Sequence, residues 1–225
     1  MTMTEKKKRI RIDRNLAEEE IQFYYSLLDE SITDYDCGDL CKDANGGVPY
    51  CCQSQHAVPL LYKNEYKYLR SVGDLWHEWR PMDAEDRKLK ETEGEDQIFC
   101  ECKGVEHCIR DQRSISCRTF PLEPYLDRRG VLVGLTFIRD FTDKDPDTGR
   151  IKCPLSRKKQ DVRQDFIDSH FIFWEKLMLR KEDEYETYLE TSKSLRREKA
   201  RTGRRFEILF PSHLKDSKTA KKYIY

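Results

Sequence analysis

Nine cysteines dominate the chemistry open to this chain, and eight of them lie between residues 37 and 117. Four stand in CGDLCKDANGGVPYCC as Cys37, Cys41, Cys51 and Cys52. Four more stand in CECKGVEHCIRDQRSISC as Cys100, Cys102, Cys108 and Cys117. Thiols at such spacings can pair as disulfides, act as nucleophiles or ligate a soft metal. Disulfides fit poorly: nine is odd, and nine in 225 is about 4%, below the roughly 8–10% of disulfide scaffolds. Cys51 and Cys52 are also neighbours, so their side chains diverge along the backbone.

Metal ligation uses the pattern better. Four-thiolate zinc sites place deprotonated sulfur about 2.3 Å from the metal, and iron–sulfur clusters are held by cysteines in short runs. One turn between two cysteines aims both sulfurs at one region at little ordering cost. All eight cysteines are therefore ligand candidates, with zinc or a [4Fe–4S] cluster as the alternative cofactors. Cys100 and Cys102 compete for one place, and Cys153 and His56 stand by as further ligands. One centre or two both satisfy the count. A thiolate centre carries net negative charge, which Arg113 and Arg118 are expected to offset from beside it. Lys103 reads as an ordinary surface charge.

These residues carry a resemblance. The stretch Cys108, Arg113, Cys117, Arg118, Phe120, Pro121 resembles the second element of the YkgJ-like family of zinc- or iron-chelating cysteine-cluster proteins, which ends in C-R-x-F-P. Cys102 or Cys100 stands for the family's preceding cysteine, and Cys37, Cys41, Cys51 and Cys52 resemble a stretched first element. Here C-x3-C-x9-CC replaces the family's C-x2-C-x2-CC, and Ser114 follows Arg113 where the family has proline. The similarity covers residues 37–121. It implies a metal or iron–sulfur centre and no particular reaction.

The elements that must position these cysteines read as follows. Residues 15–32 form an amphipathic helix capped by Asn15, and 57–62 are extended. Residues 63–79 are helical with Asn64 as cap, and 80–96 form a polar loop. QIFCEC, 97–102, is a strand. GVLVGLTFIRDF, 130–141, is a second strand, with RIKCPL returning beside it as a hairpin. DKDPDTG, 143–149, departs from an EF-hand because Gly149 falls one place late, so it reads as a turn. From 156 onward Phe166, Ile167, His170, Phe171, Phe173, Trp174, Leu177 and Met178 repeat at helical spacing, as the buried stripe of one long helix or a pair.

The expected fold class is α+β: a small, irregular, metal-stapled cysteine domain over 1–155 with a short antiparallel sheet, a helical segment over 156–210 packed on it, and a polar tail over 211–225 of disordered composition. Hydrophobic and charged residues each make up 37% of the chain, so the core is thin and a metal staple would help it. No apolar run approaches the roughly 20 residues of a membrane helix, and the basic N-terminus lacks the apolar core of a secretory signal. A cytoplasmic location with reduced thiols follows as the expectation. Formal net charge is zero, but 16–39 is acidic and 193–222 is basic. The basic stretch 193–205 reads first as a solvated helix face; docking on a protein partner, or less favourably on nucleic acid, is the alternative. An iron- or iron–sulfur-dependent enzyme, and an interaction module with a structural metal, complete the functional expectations.

Overall fold

The computed structural model describes residues 15–54 and 56–216. The basic N-terminal stretch and the end of the 211–225 tail lie outside these residues. The fold is mixed: a three-stranded antiparallel sheet, a two-stranded antiparallel sheet and a C-terminal pair of helices. No helix among the described residues is long and apolar enough to cross a membrane.

Helix α1, Glu18–Leu27, opens on three glutamates, which suit the positive end of a helix dipole. Ala17 rather than Asn15 precedes it, and the Glu20 carboxylate accepts the Ala17 amide at 2.9 Å. Strand β1, Leu60–Tyr62, runs directly into α2, Lys63–Val72. Asn64 is not its cap: its amide donates to the Leu16 carbonyl at 2.8 Å. The helix expected over 63–79 stops at Gly73, and Trp76–Glu78 form β2 instead. The expected polar loop contains a short helix α3, Ala84–Lys90, started by Asp83, whose carboxylate accepts the amides of Glu85 and Asp86 at 2.8 Å. Strand β3, Gln97–Cys102, lies between β1 and β2, with Leu60 opposite Phe99 and Trp76 opposite Cys102.

After the short helix α4, Ile115–Thr119, strands β4, Leu122–Leu126, and β5, Leu132–Phe137, form a hairpin. This corrects the pairing read from sequence. The RIKCPL segment adds only one bridge, Lys144 to Ile151, and β5 takes the stretch before it as partner. Pro124 in β4 has no N–H to donate to the ladder. The structure removes the difficulty: Leu135, opposite Pro124, sends both its N–H and its carbonyl to Leu209 on the other edge.

The C-terminal stripe, Phe166 to Met178, lies wholly in one helix, α5, Gln164–Arg180, and a second helix, α6, Glu182–Thr202, follows after a break at Lys181. Lys181 is extended and 1% exposed, and its ammonium meets Asp96 at 2.9 Å and Asp183 at 3.6 Å. Tyr24 of α1 packs edge-on to Phe173 of α5 at 5.4 Å, and Arg180 pairs with Glu20 at 2.5 Å. Helix α6 covers β4, where Ser192 accepts the Leu126 amide at 2.9 Å. Much of the basic run is internally committed: Arg196 to the Leu126 carbonyl, Arg197 to Glu190 and Arg204 to Asp143.

Two buried polar groups tie these layers together. His170 of α5 lies 3.1 Å from the Arg118 carbonyl through Nε2, and burial pushes its pKa down to about 4. Glu65, 1% exposed, accepts the Tyr25 hydroxyl at 3.0 Å, the Ile115 amide at 2.7 Å and the Tyr62 amide at 3.3 Å. Burial outweighs those bonds and raises its pKa to about 7. Between about pH 4.5, where the unfolded carboxyl titrates, and about pH 7, the folded state binds the extra proton. Glu65 therefore contributes stability that is full below that window and declines as pH rises through it. In urea unfolding, the stability of wild type relative to Glu65→Gln should fall by about 2 kcal/mol from pH 5 to pH 7. The opposite slope from His170 is common to both proteins and cancels. A difference that does not change with pH would refute the assignment.

Candidate metal centre

Each cysteine reaches its place through a local device. Residues Cys37–Leu40 form a 3-10 turn whose start is held by Asp36, which accepts the Gly38 amide at 2.9 Å. The insertion between Cys41 and Cys51 folds as a second 3-10 turn, Lys42–Asn45, and reverses at Gly46 and Gly47, with φ of +66° and +89°. Only glycine takes two such left-handed residues in succession without strain. The reversal returns Pro49 onto Gly38, where an added Cβ would lie 2.8 Å from the proline ring. The long spacing thus brings Cys51 and Cys52 back against the turn of Cys37 and Cys41.

In the second group, Cys102 ends β3 and Cys117 lies in α4. Ser114 caps α4, its hydroxyl accepting the Cys117 amide at 3.2 Å. Between them Cys108 follows one 3-10 turn, and a second, Arg110–Gln112, carries the chain back to Arg113. The Arg113 Nε–H donates to Cys108 Sγ at 3.2 Å. The Trp76 indole fixes this loop from β2 by donating to the Gln112 carbonyl at 2.6 Å. Cys153 arrives separately, its amide on the Phe141 carbonyl at 2.9 Å.

All cysteines but Cys100 line one cavity of about 910 Å³, together with Arg113. Cys100 is fully buried, its closest electrostatic neighbours are Glu65 and Glu78, and burial raises its pKa to about 12. The competition between Cys100 and Cys102 is thereby decided for the cavity in favour of Cys102. Arg118 is placed differently from the sequence reading. Its guanidinium bonds backbone carbonyls and stacks 4.7 Å from the Tyr25 ring, touching no sulfur. His56 contacts Asn45 at 3.3 Å and the Tyr50 ring, and does not line the cavity. Lys103 pairs with Asp74 on the surface.

The thiols are mostly held protonated. Burial pushes Cys117 and Cys153 up to about 12 and Cys37 to about 11, and raises Cys41 and Cys102. Cys52 is the exception, lowered to about 7 by the hydrogen bond from Cys51, 4.0 Å away, and by Arg113. Among the described residues no group of three or more His, Cys, Asp or Glu side chains is arranged to hold a metal ion. As a donor set the thiols fit a soft metal: sulfur predominates and one arginine already bonds to it.

No protein-family model, curated protein or solved structure matches this chain. Its sites are therefore read from their own geometry. Of the two further ligands that the sequence left open, Cys153 lines the cavity although it lies 36 residues past Cys117, and His56 does not.

In reduced, metal-free protein Cys52 should be the first cysteine alkylated by iodoacetamide, with a rate midpoint near pH 7. Arg113→Gln should move that midpoint upward. Peptide mapping that found Cys51 or Cys37 modified ahead of Cys52 would contradict this ordering.

Proposed function

We propose that this protein binds a metal or iron–sulfur centre through its cavity-lining cysteines, in the manner of the YkgJ-like proteins it resembles. The observation that carries the reading is the convergence of cysteines from six separate places in the chain on one cavity, with Arg113 bonded to Cys108. Chance burial of small apolar thiols would scatter them through the core, as Cys100 is. Cys37, Cys41, Cys51, Cys52, Cys102, Cys108 and Cys117 are the ligand candidates, with Cys153 added.

Eight thiols line the cavity where a single tetrahedral zinc takes four, which favours a polynuclear centre or more than one metal. A single tetrahedral zinc with bonds of about 2.3 Å needs sulfurs about 3.8 Å apart. A cluster is held by thiolates at its corners and accepts a wider ring of ligands. When bound, an iron–sulfur cluster would supply electron transfer or a Lewis-acidic iron. This chain's contribution is to surrender the thiol protons, to exclude water around Cys117, and to place Arg113 against the negative charge of a thiolate. The metal would also staple segments that share little regular hydrogen bonding. A second reading, an enzyme built on that centre, is favoured by one feature: the cavity continues past the thiols into a chamber lined by Glu123, Trp174, Glu184 and Tyr188.

Protein purified without oxygen should contain iron with acid-labile sulfide and absorb broadly in the visible. Cys102→Ser, and the pair Cys108→Ser with Cys117→Ser, should lose most of the metal, whereas Cys100→Ser should retain it. Stoichiometric zinc in colourless protein would remove the electron-transfer role. Neither metal, or equal loss from Cys100→Ser and Cys102→Ser, would refute the proposal.

A further inference from the structure

Away from the sulfurs, the lining of the cavity changes to carboxylates and aromatic rings. Glu123 comes from β4, Trp174 from α5, and Glu184 and Tyr188 from one face of α6, four residues apart. The rings of Trp174 and Tyr188 meet edge-on at 4.8 Å. Glu184 accepts the Tyr62 hydroxyl, and Tyr188 feels both Glu184 and Glu123. The four side chains and Tyr62 thus form one contiguous patch.

Two polar atoms of this patch are enclosed and lack a hydrogen-bond partner: Oε1 of Glu123 and Nε1 of Trp174. Trp174 is 5% exposed. Such orphans are rare in folded proteins, because each costs the desolvation of a polar group without return. The charge balance points the same way. Of the six carboxylate residues that line the cavity, Asp36 and Glu101 adjoin Cys37 and Cys102. The two lining cations, Arg113 and Lys152, also lie with the cysteines, which leaves Glu123 and Glu184 without a lining cation beside them. The buried Lys181 nearby is engaged with Asp96 and Asp183. Burial, with Asp140 adding to it, holds the Glu123 pKa up at about 8, as expected of a carboxyl without a cation.

The two orphans ask for different things. An enclosed carboxylate beside aromatic faces is matched by an ammonium group, through charge and cation–π attraction. An unpaired indole N–H is matched by an oxygen acceptor. We propose that this chamber binds a small organic amine that also carries an oxygen, of the amino-alcohol class. Its ammonium lies against Glu123 and Glu184 beside the rings of Tyr188 and Trp174, and its oxygen accepts the Trp174 Nε1–H. The proposal does not depend on whether the thiols hold a metal.

The test compares four probes of similar size on the full-length protein by isothermal titration calorimetry: ethanolamine, ethylamine, ethylene glycol and acetate. Ethanolamine should bind best, ethylamine several-fold more weakly, and the neutral and anionic probes not measurably. Glu123→Gln should weaken both amines at least tenfold. Trp174→Phe should remove the advantage of ethanolamine over ethylamine. The selectivity order in wild type needs no variant and stands even if a substitution disturbs folding. Binding of acetate or ethylene glycol as tight as that of ethanolamine, or no amine binding in the millimolar range, would overturn the proposal. So would amine affinity that survives Glu123→Gln.

Discussion

The thiol wall depends on one side chain that touches no thiol. Arg118 donates to the backbone carbonyls of Arg113, Arg110, Asp111 and Leu28. The loop between β3 and α4 has no strand or long helix to satisfy its carbonyls, and a buried carbonyl without a donor is costly. A guanidinium offers five donors in a rigid plane, so it can gather several carbonyls at once, as lysine could not. Through that gathering Arg118 sets the path from Cys108 through Arg113 to Cys117. It also joins the loop to the end of α1 and to the ring of Tyr25. Cys117 and Arg118, adjacent in sequence, thus couple a cavity-lining thiol to the residue that holds its loop.

The cavity is shared between two kinds of electrostatics that the fold keeps apart. At one end burial keeps most thiols neutral and Arg113 supplies positive charge. At the other, carboxylates outnumber cations and Glu123 is raised by burial. Both ends are made by elements far apart in sequence: β3, α4 and the 3-10 turns around Cys37 and Cys51 on one side, β4, α5 and α6 on the other. The break at Lys181 matters here. It starts α6 afresh, so that Glu184 meets Tyr62 and Tyr188 meets Trp174 while Lys181 stays in its ion pairs.

Much of this was legible where a residue type has one strong physical preference. The cysteine grouping, the strand over 97–102 and the apolar stripe from Phe166 to Met178 are all patterns within a short window. They carry over into β3, α5 and the cavity wall. The reading failed where a distant partner decides. RIKCPL reads as the partner of residues 130–141, whereas residues 122–126 pair with β5 and Leu209 takes the hydrogen bonds of Leu135 opposite Pro124. Arg118 looks like a partner for sulfur until the carbonyls around it are counted. Trp174 reads as a core anchor, and its orphaned N–H becomes visible only once the neighbours are in place.

The amino-acid sequence by itself determined that eight of the nine cysteines group between residues 37 and 117, that apolar residues are few for the length, and that a helical segment follows the cysteine region. Spacing, composition and periodicity are local quantities and need no partner. Only the tertiary structure decided that Cys102 rather than Cys100 faces the cavity and that Cys153 joins it. It also decided that the insertion after Cys41 doubles back rather than carrying Cys51 away. Those outcomes turn on which surfaces are buried against which, on Pro49 meeting Gly38 and Glu65 lying beside Cys100. Such contacts exist only after the chain has closed on itself.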